Sequence, residues 1–194
     1  TLRRMAEGGI NDQLGGGFCR YSVDPTWTIP HFEKMLYDNA LLAVQYLHAW
    51  QATGDAYMLD TCRRTLNFME RELLGPDGGF FASLDADDAL GEGRFQSWTP
   101  EQVAKALPDA DDARIACEVF GITKEGNFED GLSNPVRTPA QDSIDPERLE
   151  RIREAMLAAR ADRPRPATDV KVITAWNALA ISAFAQAGAA LGAE

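Results

Sequence analysis

One short segment combines a histidine, a lysine and acidic side chains, all of them residue types that transfer protons. His31, Lys34 and Asp38 are spaced three and four residues apart, so on a helix they share one face. Glu33 and Tyr37 would share a neighbouring face. An acid, a base and a cation beside the free N–H groups of a helix start suit proton transfer on a small polar substrate. The plainer interpretation, which stays open, is structural: a Lys34–Asp38 ion pair one turn apart and a hydrogen-bonded core His31.

Carboxylates also gather in the acidic loop that begins at Asp85. Asp38 facing Asp85 or Asp87 across a cleft would form a carboxylate pair of the kind that cleaves glycosidic bonds. A calcium loop of the EF-hand type requires glycine at its sixth position and glutamate at its twelfth. Those positions hold Leu90 and Gln96. We therefore predict no metal ion in this loop.

Aromatic side chains near these segments offer walls for a sugar ring. Trp27 and Trp98 are the main candidates for stacking, with Tyr21 and Tyr37 beside them. In a helical domain such side chains more often fill the core, and both interpretations stay open. Arg20, next to Tyr21 in the sequence, would orient substrate oxygens.

The net charge of the chain indicates which classes of macromolecule are unfavourable partners. The chain has 194 residues, with 19 lysine and arginine residues against 30 aspartate and glutamate residues and a formal net charge of -11. Nucleic acids and anionic membranes would be repelled by this field, so we predict neither as a partner. The sequence contains no run of about 18 apolar residues, the length that a membrane-spanning helix needs.

Cysteine usage and glycine patterns argue against a cofactor. The three cysteines lie far apart without a CxxC spacing, which predicts a reducing compartment, the cytoplasm, and no zinc or dithiol centre. The glycine-rich segment 8–24 has neither a GxGxxG nor a Walker pattern, so we expect a shaped loop rather than a phosphate site. Cys19 in that segment is interpreted as a structural thiol. We predict no bound cofactor.

Helices of two kinds must position these residues. Segments 31–51 and 175–191 are apolar on most sides, which is typical of buried helices. Segments 55–74 and 145–161 each carry one apolar stripe on a charged surface, which is typical of outer helices. The alternation favours two concentric layers of helices over a simple four-helix bundle.

The stretch between these helices is less regular. Short strands are predicted over 80–83 and 94–98, around the acidic loop 85–93. Thr99 and Gln102 have the spacing of a capping box at a helix start. The remaining predictions are short helices over 100–106 and 110–119 and a loop over 121–144.

Motifs along essentially the whole chain resemble one family. They read GGINDQLGGGFCRYSVD at 8–24, PHFEKMLYDNA at 30–40, GFFAS at 79–83, DAD at 85–87, WTPE at 98–101, GNFE at 126–129 and KVITAWN at 171–177. Their types and order resemble the thioredoxin-domain-containing family of poorly characterised proteins, which includes a spermatogenesis-associated protein. The family often has His where Cys19 stands, Gly where Ala178 stands, and a longer acidic insert.

The resemblance implies a fold and a place in a longer protein. The fold is all-α, a six-hairpin glycosidase-like (α/α) toroid similar to that of N-acylglucosamine 2-epimerase, with a short β-hairpin insert. Residues 1–194 would form its N-terminal portion, with a thioredoxin-like domain upstream and the remaining toroid helices outside the chain. A partial toroid leaves apolar flanks on segment 175–191, so we expect self-association.

The resemblance also implies a pocket at one end of the inner helices. The glycine-rich loop, the acidic hairpin and the start of the 31–51 helix would line it. The predicted catalytic residues are His31, Asp38 and Asp85. The predicted ligand-binding residues are Asp12, Arg20, Tyr21, Trp27, Glu33, Lys34, Tyr37, Asp87 and Trp98.

Two functions remain open at this point. The first is a carbohydrate-active enzyme, epimerase-like or hydrolase-like, in which Asp38 or His31 exchanges protons with a small carbohydrate. The second is a non-catalytic ligand-binding or protein-interaction module attached to the thioredoxin-like domain. A fold alone does not decide between them. Because helices of the toroid would lie outside it, the 194-residue segment by itself is expected to be inactive.

Overall fold

Helices dominate the structure, a computed structural model that describes residues 1–192. Within this range the α-helices are α1 (Leu2–Glu7), α2 (Leu36–Thr53), α3 (Ala56–Phe68), α4 (Pro100–Ala106), α5 (Ala110–Val119), α6 (Pro146–Ala161) and α7 (Thr174–Leu191). A π-helical turn, Met69–Leu73, extends α3. The prediction of a mainly helical chain is confirmed.

Short strands tie the loops to the helices. They are β1 (Tyr21–Ser22), β2 (Pro30–His31), β3 (Lys34–Met35), β4 (Ser83–Leu84), β5 (Asp87–Asp88), β6 (Gly91–Glu92) and β7 (Thr168–Asp169). β1 pairs with β2 and β5 with β6, while β3, β4 and β7 form a three-stranded sheet, and every pair is antiparallel. The three-stranded sheet therefore links the start of α2 to the segment that precedes α7.

The start of α2 differs from the sequence prediction. The helix begins at Leu36 rather than at residue 31, and the preceding residues form β2 and β3. Tyr21 pairs with His31, and Lys34 pairs with Leu84. Tyr21 lies ten positions before His31 and Leu84 lies 50 positions after Lys34, so both partners are beyond the reach of a helical turn and their backbone pairing overrides local helix propensity. As a result, the single helical face that His31, Lys34 and Asp38 were expected to share does not exist.

The helix predicted over 55–74 is confirmed, with a local irregularity at its end. Asp55 caps α3, since its Oδ1 accepts a hydrogen bond from the Tyr57 N–H at 3.0 Å. The helix then widens into the π-helical turn at Met69–Leu73. Its apolar stripe is buried as the periodicity predicts. The buried members are Met58, Cys62, Leu66, Met69 and Leu73.

The predicted hairpin of strands 80–83 and 94–98 is wrong in its pairing. Ser83–Leu84 joins the three-stranded sheet, because Met35 and Asp169 provide partners on its two sides. The hairpin lies within the acidic loop instead, where β5 and β6 enclose a tip at Leu90 that is 68% exposed. The capping box before α4 is confirmed, with reciprocal bonds of 3.0 and 3.3 Å between Thr99 and Gln102.

Two clusters of buried residues form the hydrophobic core. In the first, α2 packs against both α3 and α7, and Phe18 from the glycine-rich segment stacks on Tyr46 at 5.3 Å. In the second, α4, α5 and α6 surround Trp98. Each fully buried side chain of this size stabilises the fold by about 1.5–3 kcal/mol. The candidate site belongs to the first cluster, at the N-terminal end of α2.

The two long helices predicted to be buried are covered to different extents. α2 buries Ala40, Ala43 and Leu47, whereas α7 buries only small residues on one side and leaves Ile181 66% exposed. The apolar outer side of α7 is therefore open to solvent in residues 1–192. The self-association expected from this flank stays a prediction.

Candidate functional site

A cavity of about 540 Å³ lies where the glycine-rich segment meets α1 and the start of α2. Its polar walls are provided by Cys19, Arg20, Tyr21, Ser22, Asp24 and Asp38, together with Trp27. Its apolar wall is provided by Met5, Ile10, Leu41 and Leu42. A concave, mixed surface of this size matches the dimensions of small-molecule sites.

Asp38 is the carboxylate of this cavity that is suited to proton transfer. It lies in the first turn of α2. Its Oδ2 atom is buried and has no hydrogen-bond partner within residues 1–192. Burial raises the pKa of Asp38, against the opposing effect of the Arg20 cation. A half-buried carboxylate whose pKa is raised is suited to accept and return a proton.

Arg20 is held beside Asp38 by Glu33. Its Nη1 atom lies 3.0 Å from Glu33 Oε2, and its backbone N–H donates to the Glu33 carbonyl at 2.8 Å. The hydrogen bond to Glu33 and the neighbouring Tyr37 hydroxyl raise the pKa of Arg20. The guanidinium is therefore a fixed cation at the cavity wall, able to orient ligand oxygens.

His31 lies behind this wall rather than on it. Its Nδ1 atom is 2.7 Å from Glu92 Oε1 and its Nε2 atom is 3.8 Å from Glu33 Oε2. Its ring stacks on Tyr21 with centroids 5.1 Å apart. His31 thus supports Tyr21 and ties the β5–β6 hairpin to β2, a positioning role that its sequence context did not reveal.

The aromatic residues separate into two groups. Tyr21 and Trp27 line the cavity, whereas Trp98 is 1% exposed in the second core cluster, with the Arg163 guanidinium 3.8 Å above its ring. Tyr37 packs edge to face on Trp176 at 4.8 Å. Stacking on a ligand therefore falls to Tyr21 and Trp27.

Trp27 holds an unusual backbone at the cavity. Its φ angle is 66°, a left-handed conformation that costs about 1–2 kcal/mol for a residue with a Cβ atom. The Ile10 N–H donates to the Trp27 carbonyl at 3.1 Å, and Gly8 lets the two backbones approach because a Cβ there would lie 2.4 Å from that carbonyl. Strain of this kind concentrates at ligand sites.

Asp12 and Lys34 lie together in a different place. Lys34 Nζ is 2.8 Å from Asp12 Oδ2, and both side chains are almost fully buried. Arg160, at the end of α6, adds a bidentate contact to the same carboxylate. Lys34 therefore does not line the Asp38 cavity, and Asp12 closes a structural ion cluster.

The acidic loop does not face Asp38 in this cavity. Asp85 lines a separate crevice of about 20 Å³ beside Lys34 and Arg160, and its Oδ1 accepts a hydrogen bond from the Ala86 N–H at 2.7 Å. Asp87 is exposed in β5. The walls of the Asp38 cavity include neither residue, so the carboxylate pair predicted for glycosidic cleavage is not assembled there.

Sequence reasoning missed the buried role of Arg160, whereas it interpreted Cys19 as a structural thiol. Arg160 is 3% exposed and lies four residues after Met156, which itself lies four residues after Ile152, so all three are on the buried stripe of α6. A basic residue on a buried stripe needs a buried partner of opposite charge, and this is the signal that could have revealed it. Cys19 lines the cavity, but burial raises the pKa of its thiol to about 12. It is therefore a structural thiol rather than a nucleophile.

Neither a metal centre nor a membrane span is found in the part of the chain that the structure describes. Within residues 1–192, no three His, Cys, Asp or Glu side chains cluster in a way that suits a metal ion. Over the same residues, every helix is too short or too polar to cross a bilayer.

Comparison with known proteins relates the chain to a named group. It is 35% identical to spermatogenesis-associated protein 20 of Homo sapiens and of Mus musculus over 227 aligned positions, which cover 100% of the chain and 29% of each relative. The chain is therefore similar along its whole length to spermatogenesis-associated protein 20. An uncharacterised protein of Caenorhabditis elegans is 30% identical over 96% of the chain. No protein-family model matches.

The similarity to spermatogenesis-associated protein 20 covers the candidate site entirely, because the alignment spans the whole chain. The chain spans 29% of the length of these curated relatives. The names of the relatives describe no reaction, ligand or cofactor. The chemistry of the site must therefore be argued from its geometry.

Proposed function

We propose that the cavity around Asp38 binds a small carbohydrate and that Asp38 exchanges a proton with it. The observation that carries this proposal concerns Asp38: its side chain lines a cavity of about 540 Å³ together with polar and aromatic side chains, and its buried Oδ2 atom has no hydrogen-bond partner in residues 1–192. Buried polar atoms without partners are rare in folded proteins, and a ligand is one of the groups that satisfies them.

The other walls support a carbohydrate ligand. Tyr21 and Trp27 present aromatic surface against which the C–H groups of a sugar ring pack. Arg20, fixed by Glu33, provides hydrogen-bond donors for ring or hydroxyl oxygens. Asp38 then accepts a proton from a carbon atom of the bound sugar and returns a proton to that carbon, so no net proton is gained or lost. Return to the opposite face of the carbon inverts its configuration, whereas return to the same face leaves the sugar unchanged except for exchange with solvent.

We further propose that the chain forms the N-terminal portion of an (α/α) toroid similar to that of N-acylglucosamine 2-epimerase, in a protein that also carries a thioredoxin-like domain. The packing of α2 between α3 and α7 supports an inner helix flanked by neighbours. The family motifs run from residue 8 to residue 177. The alternative function is a non-catalytic binding or interaction module attached to the thioredoxin-like domain.

Deuterium exchange in the full-length protein tests the catalytic proposal. Sugars from a panel of hexoses and hexosamines are incubated with protein in D₂O and followed by NMR, and binding is measured by calorimetry. We expect solvent deuterium to enter a C–H position of at least one sugar, and Asp38→Asn to abolish this entry. Asp77→Asn, an exposed carboxylate in the turn after α3, is the matched control.

The outcomes separate the two functions. Sugar binding without deuterium entry in the wild-type protein contradicts proton transfer and favours the non-catalytic binding module. Absence of binding by every sugar in the panel contradicts the carbohydrate site itself. Unchanged exchange in the Asp38→Asn variant contradicts the role of Asp38.

A further inference from the structure

A second cavity, of about 370 Å³, lies between α4 and the end of α6. This Arg163 cavity is lined on one side by Trp98, Gln102 and Lys105, and on the other by Asp162 and Arg163. It shares no lining residue with the Asp38 cavity. The two cavities can therefore bind ligands of different kinds.

Arg163 is held in place by uncharged groups. Its Nη1 atom donates hydrogen bonds to the carbonyl oxygens of Phe95 and Ser97 at 3.0 and 2.7 Å. Its guanidinium carbon lies 3.8 Å from the centre of the Trp98 ring. Within residues 1–192 its remaining hydrogen-bond partners are likewise amide oxygens. These contacts orient the guanidinium, but none of them brings a negative charge to it.

The electrostatic surroundings of Arg163 disfavour its positive charge. Burial and the nearby Arg160 cation lower the pKa of Arg163 to about 10, and Asp88 opposes them only in part. The guanidinium is still protonated at neutral pH, so the folded chain carries an incompletely compensated cation at the cavity wall. A partly buried charge without a charged partner costs free energy, and a bound anion would offset this cost.

Lys105 adds a second cation to the same cavity, from an exposed position on α4. Asp162 is the one carboxylate among the described residues that line it, so two cations against one carboxylate leave one net positive charge. The chain as a whole has a formal net charge of -11. The Arg163 cavity is therefore a local exception to the charge of the protein, and a local excess of positive charge attracts anions.

Neutral donors complete the lining. Gln102 Oε1 accepts a hydrogen bond from the Thr99 N–H at 3.0 Å, which leaves the Gln102 amide nitrogen as a donor. Trp98 is 1% exposed, and its indole Nε1 atom has no hydrogen-bond partner within residues 1–192. The lining therefore offers more donors than acceptors. This balance suits an oxyanion, because the oxygens of an ionised group only accept.

We propose that the Arg163 cavity binds the oxyanion of a small molecule, a phosphate or a carboxylate group, through Arg163 and Lys105. The planar guanidinium matches the oxygens of either group, and a lysine ammonium group binds them as a point charge. Hydrogen bonds between charged groups are about twice as strong as those between neutral groups. The site goes beyond the carbohydrate function proposed for Asp38 and does not depend on it, since the two cavities share no lining residue.

Titration calorimetry of the full-length protein tests this site with two probes, inorganic phosphate and acetate. The buffer is low in salt, because salt screens exposed charges. We expect at least one probe to bind with a Kd of about 1 mM or below. Lys105→Gln should raise that Kd about fivefold, the upper value for an exposed ion pair. Lys171→Gln removes an exposed lysine outside the cavity and should leave the Kd unchanged.

A second variant examines the guanidinium itself. Arg163→Lys keeps the positive charge but loses the planar set of donors, so it should also weaken binding of the probe. Melting curves of each variant show whether the comparison is made on folded protein, and Lys105→Gln decides the result if Arg163→Lys does not fold.

The outcomes separate the class of ligand from the existence of the site. Binding of phosphate alone supports a phosphorylated ligand, and binding of acetate alone supports a carboxylate ligand. Binding of neither probe overturns the proposal. An affinity that Lys105→Gln leaves unchanged, or that Lys171→Gln lowers equally, also overturns it, because the anion then binds elsewhere on the protein.

Discussion

Arg160 and Asp12 form a bidentate ion pair that joins segments 148 residues apart. The Nη1–Oδ1 and Nη2–Oδ2 distances are 2.9 and 2.8 Å. Lys34 adds a third contact, at 2.8 Å, to the same carboxylate. Asp12 also accepts from the backbone N–H groups of Leu14 and Gly15 at 3.1 and 3.0 Å. One buried carboxylate thus orders the glycine-rich loop and fixes the end of α6 to it.

The first prediction concerns the removal of this charge. Asp12→Asn leaves Lys34 and Arg160 buried with no carboxylate between them, so we expect the free energy of unfolding to fall by about 3–5 kcal/mol. Urea denaturation measures the change. The exposed control Asp77→Asn should stay within about 0.5 kcal/mol of wild type. A loss in Asp12→Asn no larger than that of the control would contradict the structural role of the cluster.

The second prediction is a pH dependence of stability. Burial opposes ionisation of Asp12, but the Arg160 and Lys34 charges outweigh it and hold its pKa well below the usual range. Because the pKa of Asp12 is lower in the folded than in the unfolded chain, its ionised carboxylate stabilises the fold. This stabilisation is complete above the unfolded-state pKa of about 3.9 and is lost as the pH falls below that value. Unfolding free energies should therefore decline more steeply below about pH 4 in wild type than in Asp12→Asn. If the unfolding free energies of the two proteins changed in parallel with pH, the depressed pKa of Asp12 would be contradicted.

The third prediction distinguishes a functional Asp38 from a structural one. Burial raises its pKa, so the ionised carboxylate present at neutral pH is disfavoured by the fold, and this penalty vanishes below the unfolded-state pKa of about 3.9. We expect Asp38→Asn to melt at the same temperature as wild type or higher at neutral pH, with any difference disappearing in acid. A variant that melts several degrees lower, with sugar affinity unchanged, would support the structural interpretation instead.

The fourth prediction compares two glycines that both have left-handed backbones. Gly17 has a φ of 77° and a Cβ there would lie 2.3 Å from the Phe68 ring, whereas Gly78 has a φ of 83° and open space around it. Gly78→Ala should cost only the backbone term of about 1–2 kcal/mol. Gly17→Ala adds overpacking of typically 1–3 kcal/mol. Equal losses by urea denaturation would show that Phe68 moves aside freely.

The fifth prediction addresses the open side of α7. Ile181 is 66% exposed among small apolar neighbours, and apolar surface of this kind favours association. We expect the 194-residue chain to show a sedimentation coefficient that rises with protein concentration, and Ile181→Glu to reduce the rise. Sedimentation of the wild-type chain that is independent of concentration would contradict self-association through this side.

Local patterns in the sequence predicted the elements whose determinants are local. The capping box of Thr99 and Gln102 acts within a few residues, and the structure confirms it. The start of α2 was missed because Lys34 pairs with Leu84, 50 positions later in the numbering. Periodicity within a short window carries no information about such partners.

The candidate site could be predicted only where its residues are close together in the sequence. Four residues of the site come together because they are close in sequence: Arg20 and Tyr21 lie on the glycine-rich segment, Trp27 follows shortly after it, and Asp38 lies in the first turn of the next helix. Lys34 was expected beside them, but its partners are Asp12 and the Gly16 carbonyl. The spacing of His31, Lys34 and Asp38 does not indicate which of the three side chains is buried. That choice is made by tertiary contacts.

The bidentate pair between Arg160 and Asp12 also bears on how the chain responds to a protease. The two residues lie on opposite sides of the mainly irregular segment between α5 and α6, in which Lys124 and Glu125 are exposed. A single cut there separates the polypeptide into two pieces without touching the ion cluster. We expect the pieces to stay together as a nicked, non-covalent complex and to come apart when Asp12 is replaced.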